Sequence, residues 1–431
     1  MLAFTIISIG QLVSLTGSAM TGFALTIWAW LVTGEATALA LVGFFNFIPT
    51  VIVSPFAGAL VDRWNRKLVM MLSDLAAVSS TFVVLILYLT GSLEIWHLYI
   101  TGAFAGVFGT FQFPAYSAAI TTMVSKKQYG RASGMLSTAQ FASNIFAPVL
   151  AAILLSVLGI GGILTIDILT FMVAIGALLF VHVPQPTVTE EGKKSKGNLW
   201  KESVYGFRYI YERRSLLGLL FVFFGINLMA TFSFTLLAPM VLARTGNDEI
   251  SLGFVQSAIG IGGVAGSIVL SIWGGPKRRI HGVLGGLALC MLGNFFIGFG
   301  RDIYFWAVAA FFTMFFLPTI NGSSQAIWQA KVAPDIQGRV FAARMLIATL
   351  SRPFALLLVG PFADQVFEPL LMPGGGLANL FDWMVGTGPG AGMSLMFIIT
   401  GALGIMVSLT GYAFNVIRNA EDILPDHVQE P

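Results

Sequence analysis

Apolar runs of about 20 residues follow one another along nearly the whole chain, broken only by short charged or Gly- and Pro-containing stretches. About 20 residues of α-helix cross a bilayer's hydrocarbon core. A segment in lipid must satisfy its own backbone polar groups, and a continuous apolar run does this as a helix. Twelve such runs are found: Phe4 to Leu31, Ala38 to Val61, Leu68 to Thr90, His97 to Met123, Ser133 to Leu158, Gly161 to Val183, Leu216 to Ala243, Leu252 to Gly274, Gly282 to Phe299, Tyr304 to Ala330, Phe341 to Ala363 and Met393 to Ile417. The expected fold class is an all-α polytopic membrane protein. Only 10% of the 431 residues are charged, whereas soluble chains carry about a quarter. The deficit follows from the cost of each charge at mid-bilayer, about 2.5 to 3.5 kcal/mol or more.

Charge placement orients the spans. With the N-terminus inside, the loops after even-numbered spans collect Arg63, Arg66, Lys67, Lys126, Lys127, Arg131, seven basic residues from Lys193 to Arg214, Lys277, Arg278, Arg279, Lys331 and Arg339, while the opposite face holds Arg244 and Arg301. The positive-inside rule predicts such asymmetry, and a count shifted by one span would destroy it. Both termini are therefore expected in the cytoplasm.

Self-comparison reveals a repeat. Gly130-Arg131 after span four recurs as Gly338-Arg339 after span ten, and Ser143 to Ala147 then falls opposite Ser351 to Ala355. Pro114 and Pro318 precede these in their halves, and Arg66-Lys67 has a counterpart in Arg278-Arg279. An even number of spans per half makes the repeats parallel, related by an axis along the membrane normal. The expected division is residues 1–183 as the first six-helix half, 184–214 as a cytoplasmic linker, 215–418 as the second half and 419–431 as a tail. In the linker, Leu199, Val204, Phe207, Ile210 and Tyr211 alternate with Lys201, Arg208, Arg213 and Arg214, which suits a helix at the membrane surface or a plain linker helix. The segment from Gln365 to Gly392 reads as a long loop on the other face, lying against the membrane or packed on the protein.

The most specific motif is Gly58-Ala-Leu60-Val-Asp62-Arg63-Trp64-Asn65-Arg66-Lys67 at the end of span two. It resembles the loop signature of the major facilitator superfamily, with Asn65 where the family has Gly; Asn is expected to tolerate the left-handed backbone there. The resemblance implies twelve helices in two halves that alternate access around a central site, with Gly58, Asp62, Arg63, Arg66 and Lys67 as a cytoplasmic latch. A second family signature in span five survives in outline as Gly134, Ser143, Ala147-Pro148 and Ala151-Ala152, which implies a closely packed, kinked helix. The family's span-four arginine is missing, since no charge lies between His97 and Met123. Wording from Phe45 through Pro49, Ser54 to Gly58 and on to Asp74 is similar to the bacterial branch of macrolide, siderophore and multidrug exporters.

Polar residues inside spans are candidate contacts for substrate or coupling ion, because burying them unpaired is costly. Arg352 in span eleven, its repeat equivalent Asn144, and Asp167 in span six head this group, with Asp167 or Asp74 as a structural partner for Arg352 in the alternative reading. Gln112, Gln140, Asn227, Gln256, Asn321 and Gln325 offer hydrogen bonds either to a ligand or between helices. Arg344 is expected to snorkel to the cytoplasmic surface.

Four His and the single Cys290 are scattered, and no phosphate loop or metal-binding pair is present. Enzyme, metal, cofactor and nucleic-acid roles are therefore not expected. The reading is a secondary transporter in a bacterial inner membrane, working as a monomer in the lipid bilayer. It would export an amphipathic small molecule against protons. Import or uniport of a small metabolite, a lipid scramblase and a membrane-embedded enzyme stand as alternatives.

Overall fold

The computed structural model describes residues 2–124, 129–181, 199–332 and 337–423. Among these residues every regular element is helical. Span one is Leu2–Thr33, span two Ala36–Arg63, span three Arg66–Leu89 and span four Ile95–Met123. Spans five and six form one continuous run, Tyr129–Phe180, broken at Gly159, whose φ of 64° and ψ of −176° no residue with a side chain adopts cheaply. Span seven is Arg214–Thr245, span eight Glu249–Trp273, span nine Arg279–Phe299 and span twelve Ala391–Ala413.

Span ten divides into Ile303–Phe315 and Leu317–Lys331, because Pro318 enters the first turn of its second piece and cannot donate to the preceding ladder. Span eleven, Gln337–Pro361, runs into a π-helical stretch, Phe362–Phe367, and then a short helix, Glu368–Leu371. The expected twelve-helix, two-repeat fold is present.

The chain packs as two compact units. The first contains Met1–Thr187 together with Val241–Ser257 and Val359–Asp364; the second contains Val188–Met240, Ala258–Leu358 and Gln365–Pro431. In the first, span one packs along the helix of spans five and six, and span three packs on span four and on that same helix. In the second, span nine packs on both pieces of span ten and on span twelve. The repeat is thus visible in packing as well as in sequence.

Lipid supplies no hydrophobic drive between helices, so close approach through small residues takes over. A Cβ added at Gly401 would lie 2.6 Å from the Cα of Phe295, and one at Gly404 would lie 2.5 Å from Met291. Spans nine and twelve are locked by these contacts. Span eight meets span ten in the same way: Gly262 and Gly266 face the backbone carbonyls of Phe311 and Phe315 with no room for a methyl group.

For each connecting segment the sequence left two readings open, and the packing bears on both. The linker helix, Leu199–Glu212, packs within the second unit through part of its apolar face. Its Tyr209 and Ile210 are buried with Leu216, Trp328, Val332 and Val340, and the Tyr209 hydroxyl donates to the Lys331 carbonyl at 3.1 Å. Protein covers this part of the apolar face, while Phe207 and Tyr211 stay exposed. The segment after span eleven is a packed loop: Leu371 and Val385 are buried, Glu368 accepts from the backbone N–H of Gly390 (3.1 Å) and Met393 (2.9 Å), and Arg301 donates to the carbonyls of Asp382 and Trp383. Glu368 thereby caps span twelve.

Candidate functional site

Asp74, in the first half of span three, has no exposed surface. Gln11 of span one donates to one carboxylate oxygen at 3.0 Å, and Gln112 of span four donates to the other at 2.6 Å. Gln112 also donates to the Gln11 side-chain oxygen at 3.2 Å, closing a triangle across three helices. Next to it the hydroxyls of Ser8 and Tyr116 share a hydrogen bond of 3.0 Å. Ser73 donates to the Phe108 carbonyl and holds spans three and four in register.

Asp167 of span six lies in a second polar cluster and is 1% exposed. Ser18 donates to one of its oxygens at 3.2 Å and Thr81 to the other at 3.1 Å. Gly17 lets span one approach, since a Cβ there would lie 3.0 Å from an Asp167 carboxylate oxygen. The cluster opens into a cavity of about 280 Å³ that also reaches Asn46, Ser80 and Thr101 amid apolar walls.

Among the described residues neither carboxylate has a salt bridge. Asp74 and Asp167, offered by the sequence as partners for Arg352, take their hydrogen bonds from amides and hydroxyls of their own unit. Arg352 is exposed, on a face of span eleven. No group of three His, Cys, Asp or Glu converges among the described residues as a transition-metal site requires.

The latch motif is partly described. Lys67 donates to the carbonyls of Leu179 (3.1 Å) and Val181 (2.9 Å), satisfying the C-terminal end of span six. Arg66 is buried at 7% exposure. Asn65 is not left-handed as expected: with φ −66° and ψ 115° it is extended, and its side chain accepts from the Leu68 N–H at 3.2 Å. Asn serves where the family has Gly because it caps span three. Gly58, Asp62 and Arg63 belong to the helix of span two, but their side chains lie outside the described set, as do those of Gly134, Gln140 and Asn144.

Span five carries Pro148 inside its helix, and Ala147 and Ala151 are fully buried. Gly253 of span eight comes so close that an added Cβ would lie 2.9 Å from Ala152 and 3.0 Å from the Pro148 carbonyl. Small residues serve packing here.

In the second unit Asn227 donates to the Ala348 carbonyl at 3.0 Å, joining spans seven and eleven. Arg344 is partly buried, donates to Gln325 (3.1 Å) and Ser324 (2.9 Å) and lies over the Trp328 ring at 5.0 Å. Gln256 is partly buried and Asn321 exposed.

Sequence reasoning missed Gln11, Ser18, Thr21 and Thr81. Their signal is weak, since hydroxyl and amide residues are ordinary helix-to-helix glue in spans.

One carboxylate just beyond span eleven acts at the end of the helices away from the basic loops. Asp364 accepts from the backbone N–H of Ala36 (2.9 Å) and Thr37 (2.7 Å) and from the Thr37 hydroxyl (2.6 Å), capping span two from outside its own helix. At the same end Trp30 donates to Asn247 at 2.9 Å.

Comparison with known proteins agrees with this architecture. The profile of the Major Facilitator Superfamily matches residues 7–356. Macrolide efflux protein A of Streptococcus pyogenes is 26% identical over 377 residues, covering 85% of this chain and 90% of that protein. The multidrug efflux pump Tap of Mycolicibacterium fortuitum is 25% identical over 366 residues, covering 81% and 87%. Among solved structures, a bacterial homologue of the human lysosomal transporter Spinster, inward-facing and unoccupied, superposes with a TM-score of 0.68 at 14% identity over 95% of this chain and 97% of that one. The nucleoside transporter NupG superposes with a TM-score of 0.65 at 14% identity, covering 96% of this chain and 98% of that one. With the profile match extending over most of the chain, this protein belongs to the major facilitator superfamily of membrane transporters.

Proposed function

We propose that the chain is a proton-coupled exporter of an amphipathic small molecule, working by alternating access in a bacterial cytoplasmic membrane with both termini inside. The direction of transport is drawn from the efflux relatives, which align along most of the chain. The coupling rests on one observation: Asp74 is fully enclosed within span three among neutral partners only, Gln11 and Gln112. A carboxylate can exchange a proton, and enclosing its charged form is far more costly than enclosing its neutral form. Uptake or loss of that proton therefore changes the free energy of the packed triangle of spans one, three and four, which is what a coupling site must do. A proton site at Asp74 also fits a chain whose span four lacks the family's arginine.

Arg352, Gln256 and Asn321 are the candidate substrate contacts, and Asp62 with its neighbours is the candidate latch. Expression in a drug-sensitive host tests the reading: accumulation of a macrolide or an amphipathic dye should fall, and an uncoupler should restore it. Accumulation unchanged across a broad panel contradicts export.

A further inference from the structure

The two buried carboxylates have chemically different surroundings. Asp74 faces amide nitrogens, which donate hydrogen and offer no lone pairs to a metal ion. Asp167 faces hydroxyl oxygens, which can turn their hydrogens away and present lone pairs. Ser18 and Thr81 hold one carboxylate oxygen each. Thr21 directs its hydroxyl at the same carboxylate and is 7% exposed, yet its oxygen has no hydrogen bond of good geometry.

A threonine in a helix ordinarily donates to the carbonyl four residues back, as Thr16, Thr26 and Thr33 of the same span do. Thr21 forgoes that bond. Its enclosed oxygen is left beside an anion and beside a cavity of about 280 Å³, the combination expected where a further species completes the cluster.

We infer that Asp167, Ser18, Thr21 and Thr81 form a binding site for a sodium ion. Hard cations take oxygen ligands, and three hydroxyls with one carboxylate supply them. Asp167 is the one acidic residue lining the cavity at this cluster, and its single negative charge balances a monovalent ion and leaves a divalent one uncompensated in a low-dielectric setting. The ligands come from spans one, three and six, so occupancy braces the same spans one and three that carry the Asp74 triangle. This inference stands apart from the export reading, because it concerns binding at rest and needs neither substrate nor gradient.

The test is binding of radioactive sodium to the purified full chain in detergent, by scintillation proximity, with thermal unfolding followed in sodium, potassium or choline chloride at matched ionic strength. Saturable binding of one ion per chain is expected, with unfolding shifted upward in sodium relative to choline. Asp167→Asn should abolish both effects, and Thr21→Val should weaken sodium binding on the order of tenfold. Asp74→Asn should retain the sodium response. Unfolding temperatures in choline show whether each variant is folded, and Thr21→Val, which removes one hydroxyl while keeping shape, serves if Asp167→Asn does not fold. Absence of saturable sodium binding to the unmodified chain overturns the inference and makes the cluster a hydrogen-bond network only. Sodium binding that survives in Asp167→Asn or is unaltered in Thr21→Val overturns it as well.

Discussion

Replacing Asp364 by alanine removes the cap that the end of span eleven places on span two. Three hydrogen bonds of 2.6 to 2.9 Å are lost. Two of them served backbone donors that no residue of the same helix can satisfy, and Ala36 has no exposed surface through which water would replace the carboxylate. A lost N-cap costs about 0.5–2 kcal/mol and hydrogen bonds to a charged group about 1.5–3 kcal/mol. A net loss of about 2 kcal/mol follows, and at 1.4 kcal/mol per decade it raises the population with this contact open roughly 30-fold.

The change is measurable by thiol labelling. Cys290, the only cysteine, is buried and replaceable by serine. A cysteine at Ala36→Cys leaves the capped backbone N–H in place. Its reaction with a membrane-impermeant maleimide reports the open fraction when opening and closing outpace labelling. Asp364→Ala should speed labelling roughly 30-fold by the same conversion. Asp364→Asn, which keeps an acceptor but loses the charge facing the helix dipole, should give a smaller increase. Gly360→Ala should mimic the alanine variant by steric means, because its added Cβ would strike Thr37. Equal labelling rates in all four proteins would refute the cap as the contact that protects the start of span two.

Further outcomes are expected at other positions. Asp74→Asn should unfold near the wild-type temperature yet lose transport driven by a pH gradient, and retention of gradient-driven transport would remove Asp74 from the coupling role. Gln112→Leu leaves one oxygen of a buried carboxylate without its donor and should destabilise the chain by about 1–3 kcal/mol, measured by thermal unfolding in detergent. Gly262→Ala and Gly266→Ala push a methyl group into the backbone of span ten and should each cost about 1–3 kcal/mol, whereas Gly263→Ala, which meets nothing within 4 Å, should be neutral. Lys67→Met should lower the unfolding temperature modestly, because two terminal carbonyls of span six lose their donor.

The spans were legible because lipid imposes a rule that sequence obeys directly: about 20 apolar residues per crossing, with positive charge held on one side. Breaks within helices were legible in part. Pro318 stands at the break in span ten, whereas span two runs unbroken through Pro49 and Pro55; the break at Gly159 falls where the sequence divides spans five and six, between Leu158 and Gly161, but hydropathy does not show that the two join there without an intervening loop. The linker helix carried the right periodicity, and its partner stayed open in the sequence because lipid and protein present the same apolar surface to an amphipathic face.

At the polar cluster, Asp74 and Gln112 stood out as lone polar residues in apolar spans. That they meet Gln11 depends on helix rotation and register across three spans, which hydropathy does not encode. Asp364 was hidden differently: an acidic residue at a span end reads as ordinary topology, and only contact between distant segments reveals that it caps another helix.

The central claim is that export is driven by protons through Asp74. Its most direct test uses purified protein in proteoliposomes, with a radiolabelled macrolide and a panel of amphipathic dyes outside and an imposed pH gradient, acid inside. Substrate should accumulate inside only while the gradient lasts, an uncoupler should abolish the accumulation, and Asp74→Asn vesicles should equilibrate substrate without concentrating it. Equal accumulation with and without the gradient, or full accumulation by Asp74→Asn, would contradict the account.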